Sequence, residues 1–426
     1  MRTWSRPALA LVAVCVLAAC AFRRLRHDTA EMASQAVLAG EVRVPGFDGR
    51  APLVVAAGKL PEDGGSLLQV FGSHVLREPD AFAIRVPPGK YVVGAYVDEN
   101  RDGHWNLGER GTVSRVLRVA AGKRIGGLRL SIGQTGGRPP DLDEYRALEA
   151  FELARGDVVP LDDPRFGEAP ARRGMWEPLA AARDLRPGVY MLRPYDPNKT
   201  PVLFVHGMMG FPQQFAALIA DLDRRRFQPW VALYPSGLAF DGVANVLHLL
   251  MNEIEARYAP KRICVVAHSM GGLVARKFVG IHEKKTPDHP IRALVTLASP
   301  VGGMPSAGMG VKMAPAVVPS WYDIAPGSEF LATLYRPPLP DEVEYHLLFA
   351  YDGKGADDGT VPIPRQLRDE AQGEATVVRG YEATHVGILR SKAAAAQVRR
   401  ALDRCRGDRP TPGPVAPRPL APGVRR

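Results

Sequence analysis

The stretch Val265-Val266-Ala267-His268-Ser269-Met270-Gly271-Gly272 decides the fold. An apolar run, Ile263–Ala267, leads into a serine flanked by small residues, and an amphipathic pattern over Leu273–Ile281 leads away from it. This reads as strand, sharp turn, helix. Such a turn crowds the positions two before and two after the serine, so it needs side chains no larger than those of Ala267 and Gly271. It lifts the hydroxyl out of the sheet end. The first N–H groups of the helix that follows have no acceptor one turn back and point at the same place. Ser269 is the candidate nucleophile.

Around this turn, short apolar runs at Val202–Val205, Trp230–Leu233, Ile263–Ala267 and Ala293–Leu297 alternate with amphipathic segments near Phe215–Arg226, Val243–Tyr258 and Leu273–Ile281. Strands alternating with helices predict a mostly parallel sheet covered by helices on both faces. The elbow resembles the α/β-hydrolase superfamily, in particular its lipases and esterases, with Ala267 standing where the G-x-S-x-G pattern has its first glycine. His206-Gly207-Met208-Met209-Gly210, directly after the strand Val202–Val205, resembles the HG-x-x-G segment of lipases. That resemblance implies that the backbone N–H groups of Met208 and Met270 hold the oxyanion. Losing one such donor typically costs ~100- to 1,000-fold in rate.

The superfamily orders its residues Ser, acid, His along the chain. His282 and His289 follow the elbow too closely, and His346 lies inside the apolar strand Val343–Tyr351. His385, in Tyr381-Glu382-Ala383-Thr384-His385-Val386-Gly387, has the position the family gives its general base. Asp357-Asp358-Gly359-Thr360-Val361-Pro362 resembles the family's acid loop and implies Asp358, with Asp357 and Asp352 as alternatives. Together these residues imply a serine carboxylic ester hydrolase working through an acyl-enzyme without a cofactor. Acyl transfer by the same intermediate and a non-catalytic anchored scaffold are the competing readings. Gly302–Pro319, rich in Gly, Met, Ala and Pro, reads either as an apolar cap over an acyl site or as a plain surface loop.

The N-terminus carries a targeting signal. Arg2 and Arg6 precede the apolar run Ala8–Ala19, of signal-peptide length, which closes on Leu17-Ala18-Ala19-Cys20. This resembles the lipobox of bacterial lipoproteins and implies cleavage before Cys20, acylation of its sulfur and, with Ala21 following, residence on the outer membrane. Membrane is then a partner, and acyl esters are the expected substrates. Residues 1–19 are read as signal peptide, 20–40 as tether and 41–132 as a small all-β, sandwich-like accessory domain. Residues 133–195 read as linker with a helical patch near Leu142–Ala154, 196–405 as catalytic domain, and 406–426 as a disordered Pro/Arg-rich tail.

The chain has 426 residues and a net charge of +10, to which residues 406–426 contribute five Arg and one Asp. With no nucleic-acid-binding motif present, basicity of this kind does not imply a nucleic-acid partner. In the accessory domain, Asp98, Asn100, Asp102, Gly103 and Glu109 fit the twelve-residue calcium-loop pattern. The preceding strand Tyr91–Val97 is the wrong context for an EF-hand, so a structural calcium site and a plain hairpin loop both stand. Of the four cysteines, Cys15 leaves with the signal and Cys20 carries the anchor. Cys264 and Cys405 are expected as two free thiols, although an oxidising compartment permits a disulfide.

Overall fold

The computed structural model describes residues 6–62, 67–76, 78–100, 105–106, 108–133, 146–149, 152–286, 290–353 and 356–407. Helix α1 (Arg6–Ser34) is followed by strands β1 (Ala36–Arg43), β2 (Leu53–Lys59), β3 (Leu67–Leu76), β4 (Ala81–Val86) and β5 (Gly89–Val97). Then come β6 (Gly111–Val113), β7 (Leu117–Val119), β8 (Arg124–Ser131) and β9 (Arg146–Glu149). These strands form two sheets, one ordered β4-β1-β8 and one ordered β6-β5-β2-β3-β9 with β7 paired to β5. Burial in β4 alternates strictly, with Phe82, Ile84 and Val86 inward, as a strand with one wet face requires. The inward faces of both sheets share one core that includes Leu38, Leu53, Val55, Ile84 and Val93. The N-terminal body is therefore a small all-β sandwich.

The second body begins earlier than its sequence suggests. Strands β10 (Ala154–Val158) and β11 (Gly188–Met191) lie within the expected linker, yet they form one edge of the main sheet. Between them sit α2 (Glu168–Trp176) and α3 (Pro178–Asp184). The sheet continues through β12 (Thr200–Val205), β13 (Phe227–Leu233), β14 (Ile263–His268), β15 (Ile291–Leu297), β16 (Glu344–Tyr351) and β17 (Val377–Glu382). Its eight strands run in the order β10-β11-β13-β12-β14-β15-β16-β17, with all neighbours parallel except β11 and β13. The helices are α4 (Ala216–Ala220), α5 (Phe240–Tyr258), α6 (Met270–Lys285), α7 (Pro305–Met313), α8 (Pro319–Ile324), α9 (Glu329–Thr333), α10 (Ile363–Gln366), α11 (Asp369–Glu374) and α12 (Lys392–Arg406). Side chains of α5 and α6 pack one face of the sheet, and those of α4 and α12 pack the other. Every residue of β14 is buried, as a strand flanked by neighbours and covered on both faces must be. This is an α/β-hydrolase fold preceded by a small β domain.

Several local expectations change. The helical patch near Leu142–Ala154 is not helical where it is described: Arg146–Glu149 pairs with β3, and Ala154 opens β10. The helix expected over Phe215–Arg226 stops at Ala220, because Asp223 folds its carboxylate back onto the Arg225 N–H and closes a turn. Residues 20–40 form helix to Ser34 and then strand, and the helix docks on α2 and α3. The two thiols expected at Cys264 and Cys405 are joined as a disulfide, with Cα atoms 6.1 Å apart. The apolar pattern of β14 hid this pairing, because the partner lies 141 residues away on α12, which packs across β14 and β15.

Candidate active site

At the end of β14 the chain turns with Ser269 at φ 54° and ψ −134°. A non-glycine residue held there costs about 1–3 kcal/mol, which the surroundings must over-determine. The Ser269 N–H donates to Leu297 O (2.8 Å) and its carbonyl accepts from the Gly272 N–H (2.9 Å), which clamps the turn on both sides. Small size is needed where backbones meet. A Cβ on Gly271 would lie 2.3 Å from the His206 carbonyl oxygen, and one on Gly207 would lie 2.8 Å from the Ser269 Cβ. The loop after β12 and the elbow after β14 thus pack backbone against backbone.

This contact places the Met208 segment beside the hydroxyl. Met270 opens α6, where the N–H has no acceptor one turn back. Among the described residues the Met208 N–H makes no hydrogen bond either. The loop is held from behind. The Met209 N–H donates to Ser236 Oγ (3.0 Å), the Tyr234 hydroxyl donates to the His206 carbonyl, and the His206 and Tyr234 rings stack 4.2 Å apart. Burial holds the His206 imidazole neutral by lowering its pKa to about 4, consistent with a structural role for this ring.

Ser269, Asp358 and His385 come together from three different loops. His385 Nε2 lies 2.8 Å from Ser269 Oγ, and His385 Nδ1 lies 2.7 Å from Asp358 Oδ2. Asp358 is 1% exposed. Its Oδ1 accepts N–H bonds from Thr360 (2.9 Å) and Val361 (2.7 Å), while Gln366 Nε2 approaches Oδ2 at 3.4 Å. Its carbonyl accepts the His385 N–H at 2.8 Å, so acid and histidine are joined through both backbone and side chain. Asp357 instead turns its carboxylate to the Gly359 N–H, which leaves Asp358 as the aspartate that meets the imidazole. His346 is buried against Gln397 and Glu344, and His282 against His248 and Glu255, both away from Ser269; His289 lies outside the described residues.

Two supporting residues escaped the sequence reading. His268 Nε2 lies 2.8 Å from the His385 carbonyl, so its proton sits on Nε2 and steadies the backbone of the neighbouring histidine. Burial and the nearby His385 lower its pKa to about 3. The only signal was a histidine directly before the serine, in a position that reads as strand. Gln366, wholly buried, bonds Asp358, Ala350 O and Val361 O, and no spacing in the sequence announced it.

Gly302–Pro319 contains the helix α7 and ends at the first residue of α8. Ala316 and Val318 share a cluster with Met208 and Trp321, so the segment adjoins the site. In the β domain, Asp98 and Glu109 are buried, and Glu109 accepts N–H bonds from Glu99 (2.9 Å) and Asn106 (2.8 Å). Asp102 and Gly103 lie outside the described residues. Among those described, no group of three His, Cys, Asp or Glu is arranged to hold a metal ion. Cys20 is exposed on α1.

Residues 236–313, which include the elbow, match the PGAP1-like alpha/beta domain family. No functionally curated protein matches the chain. Among solved structures, a gene product of Listeria innocua aligns at 16% identity and TM-score 0.38, covering 48% of this chain and 94% of that one. A lipase of Bacillus licheniformis in mature form aligns at 15% identity and TM-score 0.39, covering 50% and 97%. The phospholipase PlaB of Legionella pneumophila aligns at 16% identity and TM-score 0.34, covering 40% and 45%.

Proposed function

We propose that this protein is a membrane-anchored serine hydrolase that cleaves carboxylic esters with an acyl chain. The observation that carries the reading is the unbroken line Asp358–His385–Ser269, with both hydrogen bonds under 3 Å, beside two backbone N–H groups that find no acceptor among the described residues. Ser269 Oγ attacks the ester carbonyl as His385 Nε2 takes its proton. The carbonyl oxygen, now negative, is held by the Met208 and Met270 N–H groups. His385 then protonates the departing alkoxide, leaving an acyl-enzyme. Water, deprotonated by the same imidazole, attacks this ester and releases the acid. Asp358 keeps the imidazole in the required tautomer and offsets its transient charge. Cys20, at the end of a lipobox-like segment, carries the acyl anchor.

The test is labelling with a fluorophosphonate probe together with hydrolysis of p-nitrophenyl esters. Wild-type protein should label and turn over. Ser269→Ala should lose labelling and at least about 1,000-fold in kcat/KM while keeping its thermal transition. A folded Ser269→Ala protein that still hydrolyses the ester overturns the assignment.

A further inference from the structure

The segment that follows Cys20 is not a slack tether. Asp28, 4% exposed, accepts the Leu179 N–H (2.5 Å) and the Ala180 N–H (3.3 Å), and so caps the start of α3 from another part of the chain. Glu31 pairs with Arg183, and Arg24 pairs with Glu177 at 2.8 Å. Leu25, with no exposed surface, packs with Met175, Ala316 and Val318 in a cluster that Met208 and Trp321 join. A row of edge-on rings runs from Phe22 to Trp176 (5.8 Å) and from Trp176 to Trp321 (6.0 Å). The helix that carries Cys20 is thus fastened to the same side chains that border the oxyanion loop. Five helical steps lead from Cys20 to Leu25, a rise of about 7.5 Å.

Nine large apolar side chains are exposed among the described residues, and five of them lie on segments that carry or adjoin the site: Met209 (44%) in the loop after β12, Val386 (45%) next in the chain to His385, Met309 (63%) and Met313 (80%) on α7, and Tyr322 (55%) next in the chain to Trp321. Exposed cations lie on the same arm and cap, Arg23 and Arg26 on α1 and Lys312 on α7. Apolar side chains together with cations suit an anionic lipid surface, where each buried apolar group and each cation near the headgroups adds to binding.

We infer that α1 is a rigid arm pressing the catalytic mouth, through Met309, Met313 and Tyr322, onto the same lipid leaflet that holds acylated Cys20. The occupant of the apolar rim is that leaflet, and the ester substrate enters from it laterally. This rests on the proposed hydrolase reading for the substrate and on the proposed acylation of Cys20 for the anchor, but the placement of the mouth is measurable without turnover.

The experiment uses the full lipidated protein in vesicles of phosphatidylethanolamine and phosphatidylglycerol with nitroxide-bearing lipid. A fluorophore is attached at Met313→Cys, or at Val378→Cys near the start of the edge strand β17, the sheet end opposite the catalytic loops. Quenching should be several-fold greater at 313 than at 378. A flexible Gly-Ser spacer of about 20 residues after Ala21, spanning roughly 25 Å, should abolish that difference while leaving hydrolysis of a soluble short-chain ester unchanged. Equal quenching at the two sites, or a difference that survives the spacer, overturns the inference, as does failure of wild-type protein to stay with the vesicles when Cys20→Ser protein is also released. Failure of the hydrolase reading appears separately, as absence of soluble-ester turnover in a protein that still shows the quenching difference.

Discussion

The disulfide between Cys264 and Cys405 closes a loop that contains Ser269, Asp358 and His385, the whole candidate triad. In the chain-entropy treatment, cross-linking residues 141 apart removes about 5 kcal/mol of unfolded-state freedom at 25 °C. Both half-cystines are buried, Cys264 completely, so a reductant reaches them only slowly while the fold stays closed. We therefore expect reduction in mild urea, followed by desalting into anaerobic buffer, to yield a folded dithiol form. With an m-value of about 3 kcal/mol/M, its urea midpoint should fall by roughly 1.5 M, followed by tryptophan fluorescence. Because the entropic effect acts on the unfolded chain, ester hydrolysis by the still-folded dithiol form should be retained. Quantifying thiols in protein denatured without reductant checks the premise. Finding both side chains free there, or a midpoint unmoved by reduction, would refute the reasoning.

Asp358→Asn should leave the fold intact and lower kcat by about 10,000-fold, because the amide favours the wrong imidazole tautomer; an Asp357→Asn control should stay near wild type, and equal losses in a kinetic comparison would reassign the acid. His206 and His268, with pKa values lowered to about 4 and about 3, stay neutral in the fold but take up protons when it unfolds. Their contribution is therefore complete above the unfolded value near 6.5 and is lost as pH falls below it, by about 4 kcal/mol for the pair between pH 7 and pH 5. Chemical denaturation at the two pH values measures this, and a His268→Gln variant should weaken the dependence. Millimolar calcium decides between the two readings of the Asp98–Glu109 loop: a melting temperature raised in wild-type protein but not in Asp102→Ala shows a bound ion, and no rise in either shows a plain hairpin.

How far the sequence could be read depended on the range of the interactions. The elbow, the loop at His206–Gly210 and the order of Ser269, Asp358 and His385 were legible because each is a local pattern set by backbone crowding or chain order. The edge strands β10 and β11 were not, since Ala154–Val158 is a short, charge-bearing run whose strand state depends on pairing with β11 and through it with β13. The same holds for β9, which takes its conformation from β3. The disulfide, the Gln366 bonds and the His268 bond to the His385 carbonyl all join residues far apart or buried among apolar neighbours, where no periodicity marks them. The docking of α1 was hidden for a related reason: Asp28, Glu31 and Arg24 look like the solvated face of a helix until α3 supplies N–H groups and an arginine, and Glu177 meets Arg24.

Ala267, the one departure from the family's elbow pattern, can be explained from these contacts. The close approaches that forbid a Cβ fall on Gly271, which faces the carbonyls of Val205 and His206, on Gly272, which faces the Ser299 side chain, and on Gly207, which faces Ser269. Position 267 meets no such obstacle; its methyl is fully buried and belongs to the apolar cluster that holds Val265, Met270 and Leu273. The tightness of the turn is therefore supplied from the far side of the serine and from the facing loop. The methyl at 267 adds burial to the strand that must hold Ser269 in its costly conformation. A glycine there would loosen that strand by roughly 0.5–1 kcal/mol through backbone freedom. What the elbow needs is small size on the side where two backbones touch, and the chain keeps glycine there, at 207 and 271.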